Sequence, residues 1–105
     1  MGNNFRMNGG MGMGGNMQQL MKQAEEAKKQ IDKAKAELAE TAVEATVGGG
    51  AVTASMSGDY ELLDMHIKPE IIDPDDPEMI EDLVIAVINE CLRQVTELRN
   101  EKLPL

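Results

Sequence analysis

The spacing of apolar residues changes twice along this chain, and each change predicts a different element. From Met17 the spacing is a heptad, with Met17, Ala24, Ile31 and Leu38 at one seam position and Leu20, Ala27, Ala34 and Thr41 at the other. A seam this narrow is of the coiled-coil kind. A helix is therefore expected from Met17 to about Leu38–Glu40, with Asn16 as its N-cap. Roughly 23 residues at 1.5 Å each make a rod about 35 Å long. The small Ala residues of the seam permit close approach by a second helix or a sheet, so the rod is expected to pack on something, a second copy included.

The period then shortens to two. Val43, Ala45 and Val47 alternate with Ala42, Glu44 and Thr46; after Gly48, Gly49 and Gly50 the alternation resumes as Val52, Ala54 and Met56. Gly58 and Asp59 read as a turn, after which Leu63, Met65 and Ile67 alternate with Leu62, Asp64, His66 and Lys68. Three short strands with hairpin-length loops make an antiparallel meander with one apolar face. Pro69 ends the third strand. Beyond it, Asp75 or Asp76 is placed to cap a last helix, with Pro77 in the first turn and an apolar stripe at Ile80, Leu83, Val84, Val87, Ile88, Cys91, Leu92, Val95 and Leu98. The pattern as a whole is α+β: a long N-terminal helix, a three-stranded meander and a C-terminal helix. Residues 1–16 are rich in Met, Gly and Asn and have no period, so a disordered tail is expected there and one folded domain over 17–105.

Composition adds an expectation of association. Ten of the apolar residues are Ala and nine are Met, and there is one Phe, one Tyr and no Trp among 105 residues, so large rigid core side chains are scarce. A second copy is the natural remedy, and a homodimer is expected. A single Cys excludes an intrachain disulfide, and neither a signal peptide nor a membrane span is read, so a cytoplasmic location is expected without contact to membrane. The formal charge is -9, and it is unevenly placed: residues 1–50 carry six basic and six acidic groups, residues 51–105 four and thirteen. Any nucleic-acid contact has to engage the first half, because an acidic field repels phosphate over about 8–10 Å.

Catalytic constellations do not assemble from this pattern. His66 falls on the outward register of the third strand and Cys91 in the apolar stripe of the last helix, so period keeps these two apart. The acidic run Asp73, Asp75, Asp76, Glu78, Glu81 and Asp82 lacks the spacing of a calcium loop and suits a helix N-terminus. Gly48–Gly50 precedes a strand, with no Gly-Lys-Ser/Thr after it, and reads as a hairpin loop rather than a phosphate loop. No enzyme activity, metal or cofactor is expected.

The lysines of the first helix are the most informative polar feature. At 100° per residue Lys22, Lys29 and Lys33 lie within about 40° of one another, opposite the seam, while Lys28 and Lys35 flank the seam at e positions. Acidic partners at i+4 are available for several of them, Glu26 for Lys22, Glu25 for Lys29 and Glu37 for Lys33. Spacing therefore leaves two readings open, a solvated helix face and a row of phosphate-binding ammonium groups.

The order and spacing of several segments resemble one family. The Gln/Lys/Glu/Ala-rich first helix is followed by Gly50-Ala51-Val52-Thr53-Ala54 running to Gly58, then Leu63 to Pro69, Asp73-Pro74-Asp75-Asp76, and Glu81-Asp82-Leu83-Val84-Ile85-Ala86-Val87-Ile88-Asn89-Glu90. Together they resemble the YbaB/EbfC family of bacterial nucleoid-associated proteins, over residues 16–104, and the Met/Gly-rich tail is similar to that of Gram-positive members. The resemblance implies a homodimer whose sheets associate and whose first helices project as a pair. It also implies binding to double-stranded DNA with little sequence preference, and a part in nucleoid organisation and gene expression. Carried over by position, the DNA-binding residues are Lys22, Lys28, Lys29, Lys33 and Lys35 on the first helix and Arg93, Arg99 and Lys102 on the last. The charge split supplies the competing expectation, a protein-interaction module whose acidic half docks on basic replication or recombination proteins.

Overall fold

The period-two segment folds as a three-stranded antiparallel sheet in the order β1-β2-β3, with β1 at Ala42–Val47, β2 at Val52–Ser57 and β3 at Leu62–Ile67. In this computed structural model the described residues are 2–103, with side chains described over 16–103. Helix α1 spans Gly2–Glu40 and α2 spans Pro77–Lys102. The expected order of helix, meander and helix is the order observed. The tail expected over 1–16 lies outside the residues with described side chains, except Asn16, which falls inside α1 rather than at its start.

The chain divides into two compact units, Met1–Lys33 and Ala34–Leu105. In the first, the described residues are helical; Met17, Leu20 and Met21 are all more than half exposed, and Ile31 is half-buried. The second unit holds the end of α1, the sheet and α2. Here α2 packs across β1 and β2. The core joins Ala45, Val52, Ala54 and Met56 of the sheet to Val87, Cys91 and Val95 of α2. Those three helical residues are spaced by four, so they share one face. The scarcity of large side chains shows directly, since the layer is built from Val, Ala, Met and Cys. Each fully buried Val or Met contributes roughly 1.5–3 kcal/mol.

Gly48, Gly49 and Gly50 close the β1–β2 hairpin with φ of 66, 68 and 96°. Three consecutive residues in the left-handed region explain a glycine run without a phosphate ligand. In β1 the alternation is as expected, with Ala45 buried and Val43 and Val47 half-buried. In β3 it is not. Leu63, expected to face inward, is 52% exposed, because the register passes from Ser55↔Asp64 to Met56↔Leu62. That bulge leaves Leu63 as the extra residue, and Leu62 takes the place opposite Met56. Leu92 also departs from the expected stripe, lying exposed on α2. Asp76 does stand at the N-cap of α2, but without a side-chain capping bond; in the acidic run Asp73 Oδ1 instead accepts from the Asp75 amide.

Cys91 is fully buried, its Sγ 3.6 Å from the Ala54 carbonyl oxygen, which accepts from the thiol. Burial pushes the Cys91 thiol up from its ordinary value. Alkylation of the native protein is therefore expected to run about 100-fold or more slower than in urea and to track unfolding. Equal rates in the two conditions would contradict the packing.

Candidate nucleic-acid interface

The helix that carries the lysines is built from good helix formers, Gln, Lys, Glu and Ala, with no Pro or Gly between Asn16 and Glu40. Lys22, Lys28, Lys29, Lys33 and Lys35 are all exposed on it. The i+4 partners that spacing offers are not used: among the described residues both ion pairs are made by Arg93, and none by a lysine of α1. Within the first unit, Lys22 to Lys33 spans about 16 Å of helix axis at 1.5 Å per residue. Four exposed ammonium groups thus lie on the helix of the first unit, and Lys35 is exposed in the second.

The cations of α2 are placed differently. Arg93 donates from Nε and an Nη to the Glu90 carboxylate, the shortest at 2.7 Å, and from its other Nη to Glu97 at 3.0 Å. The guanidinium holds the Glu90 carboxyl down at about 2, and the carboxylates in turn push Arg93 up. Arg99 donates from Nη1 to the Gly58 carbonyl oxygen at 2.8 Å and lies over the Tyr60 ring, 5.2 Å from its centroid. Lys102 is exposed in the last turn. So the structure gathers five of the eight sequence-predicted residues on α1 and leaves Lys102 open, while Arg93 and Arg99 are engaged within the protein.

Two residues that sequence reasoning passed over shape this region. Tyr60 takes a φ of 67°, unusual for a residue with a Cβ, and its hydroxyl bonds the Thr96 hydroxyl at 2.8 Å. Gly58 is buried against the end of α1, its amide donating to the carbonyl oxygens of Leu38 at 2.9 Å and Thr41 at 2.8 Å. The one sequence signal for either was the Gly58-Asp59 turn. His66 is exposed on β3 and Cys91 buried beneath the sheet, and among the described residues no group of three His, Cys, Asp or Glu side chains is placed to hold a metal ion. Among the same residues no helix is long and apolar enough to cross a membrane.

The model of the YbaB/EbfC DNA-binding family matches residues 13–104. A nucleoid-associated protein of Ruminiclostridium cellulolyticum is 45% identical over 94 residues, covering 90% of this chain and 82% of its own length. One from Clostridium acetobutylicum is 48% identical over 84% of this chain and 78% of its own. One from Bacillus licheniformis is 47% identical over 90% and 86%. Among solved structures, the uncharacterized protein HP0035 from Helicobacter pylori superposes with a TM-score of 0.72 at 25% identity, covering 80% of this chain and 88% of that one.

Proposed function

Because this chain belongs to the YbaB/EbfC DNA-binding family, we propose that it is a nucleoid-associated protein that binds double-stranded DNA as a homodimer, through backbone contacts and with little sequence preference. In that role it organises the nucleoid and adjusts gene expression from the cytoplasm. The observation that carries the reading is the row Lys22, Lys28, Lys29, Lys33 and Lys35, exposed and without a carboxylate partner among the described residues. Phosphate oxygens are the partners such a row suits, and the contacts are sequence-blind. Base reading has little support, since residues 16–40 contain no Arg to take guanine in a bidentate grip. Lys102 is a further contact; Arg93 and Arg99, held by Glu90, Glu97 and Gly58, are assigned none.

Fluorescence anisotropy with a duplex oligonucleotide at several salt concentrations tests this. A log-log slope of roughly -3 to -6 is expected, set by three to six neutralised phosphates. Absence of binding to any duplex at about 50 mM salt would end the proposal.

The dimer is supported by apolar side chains the second unit leaves uncovered. Tyr60, Leu62 and Leu63 are exposed at the turn and start of edge strand β3, and Ile85 and Leu92 are exposed on α2. Exposed edge strands flanked by apolar residues favour pairing with another chain. Leu63→Glu combined with Ile85→Glu is expected to convert a dimer into a monomer on sedimentation. A wild type that sediments as a monomer at micromolar concentration would remove the dimer from the proposal.

A further inference from the structure

Among the described residues, Tyr60 is the non-glycine residue with a positive φ, 67°. A Cβ makes that conformation costly, and it persists only where the surroundings impose it. The second unit supplies those surroundings from α2. The Tyr60 hydroxyl lies 2.8 Å from the Thr96 hydroxyl, and the Arg99 guanidinium sits over the ring, 5.2 Å from its centroid, while donating to the Gly58 carbonyl oxygen two residues earlier. With its polar tip partnered and one ring face covered, Tyr60 is still 44% exposed. The second ring face is left for another occupant. Leu62 and Leu63 follow Tyr60 into edge strand β3, and Leu92 stands one turn before Thr96 on the same side of α2, all three exposed.

We propose that Tyr60 is an anchor of the interface between two copies of this chain, and that Thr96 and Arg99 are positioning residues that hold its ring ready for the second copy. The inference rests on the dimer reading above and concerns which side chain carries that contact. Continuity assigns the occupant, because Tyr60, Leu62, Leu63 and Leu92 belong to the uncovered surface already given to a second copy. A few residues carry most of the energy of an interface, and tyrosine is enriched among them because it brings a large rigid ring. Here the ring is fixed before the second copy arrives, so the ordering that opposes association is smaller. The left-handed backbone then has a cause. Glycine or asparagine would suit that backbone better, and neither brings a ring. Asp59 and Glu61 flank Tyr60 and are exposed, so two copies bring like charges together, and their association is expected to tighten as salt rises. A basic partner on this surface would give the opposite sign.

The test uses the full chain and its own ultraviolet emission, because Tyr60 is the only tyrosine and there is no tryptophan. Acrylamide quenching of that emission is expected to be at least about twofold weaker in wild type than in a Leu63→Glu, Ile85→Glu variant that sediments as a monomer. Equal quenching would overturn the proposal, and so would a Leu63→Glu, Ile85→Glu variant that is still a dimer. Sedimentation equilibrium, with thermal melts to verify folding, then reads the variants. Tyr60→Asn, which accepts the left-handed backbone, is expected to raise the dimer Kd about 100-fold. Tyr60→Phe and Thr96→Val are each expected to raise it about threefold, and together no more than either alone, since both delete the same hydrogen bond. Arg99→Gln is expected to raise it about fivefold and Arg99→Lys, which keeps a cation over the ring, to restore it. Should Tyr60→Asn fail to fold, the quenching comparison decides by itself, with Tyr60 unaltered. A folded Tyr60→Asn that dimerises like wild type would overturn the proposal. Thr96→Val and Arg99→Gln variants that melt earlier without any change in Kd would do the same, reducing the cluster to a stabilising contact. Failure of the dimer reading appears separately, as a wild type that sediments as a monomer at micromolar concentration, and that result removes this proposal as well.

Discussion

Replacing Lys22, Lys29 and Lys33 together with Gln is expected to weaken duplex binding by about 100- to 1,000-fold at 50 mM salt and to flatten the salt dependence by about 3. Each neutralised phosphate releases about 0.9 counterion, which at that concentration makes one contact worth about tenfold relative to 1 M salt. The three lysines share one face of α1 and are exposed without ion pairs among the described residues. Removing them therefore leaves no buried partner stranded, and stability is expected to stay within about 0.5 kcal/mol of wild type. Neutralising Glu78, Glu81 and Asp82 makes the contrasting set, because these acids lie in the half of the chain that holds the whole -9. Their loss relieves repulsion, so binding is expected to strengthen by a few-fold at low salt and to be unaffected at high salt. A triple-lysine variant that keeps its slope would move the DNA contact off this face.

The lysine row and the order of elements were legible in the sequence because both depend on period alone. Residues seven and eleven apart return to one side of a helix whatever surrounds it, and a switch from heptad to alternation marks the passage from α1 to β1. What stayed hidden depends on a partner. The bulge at Ser55/Met56 is a property of two strands in register, so Leu63 looked like an inward residue when β3 was read by itself. The i+4 pairs offered to Lys22, Lys29 and Lys33 do not form, while Arg93 takes both Glu90 and Glu97. Exposed pairs contribute little, and spacing permits them without requiring them. Arg99 is separated by 39 residues from Tyr60 and 41 from Gly58, a distance over which no local pattern speaks. The resemblance to a DNA-binding family assigned Arg93 and Arg99 by position, and their geometry gives each an intramolecular partner.

Gly58→Ala is expected to destabilise the protein by about 2–3 kcal/mol, lowering Tm by roughly 10–20 °C at matched chain concentration. Backbone preference is not the cause: the glycines with positive φ are Gly48, Gly49 and Gly50, and Gly58 is not among them. Elsewhere such a position would gain about 0.4–1 kcal/mol from Ala, through a less disordered unfolded chain. Here a Cβ would run into the Leu38 carbonyl oxygen, and would lie 2.9 Å from both the Leu38 carbonyl carbon and its Cβ. Backbone atoms cannot rotate out of the way as a side chain can. Relief requires the end of α1 to part from the β2–β3 turn, which breaks the Gly58 amide bonds to Leu38 and Thr41 and uncovers Leu38, now 2% exposed. Gly49→Ala is the control with the opposite cause. It has open space around the new Cβ but a φ of 68°, so its cost is conformational, about 1–2 kcal/mol, and local to the hairpin. Urea unfolding separates the two, because opening the α1 root in Gly58→Ala exposes surface in the native state and lowers the m-value, whereas Gly49→Ala shifts the midpoint alone. A Gly58→Ala protein as stable as wild type would mean that Leu38, at the end of α1, does not seat against this turn.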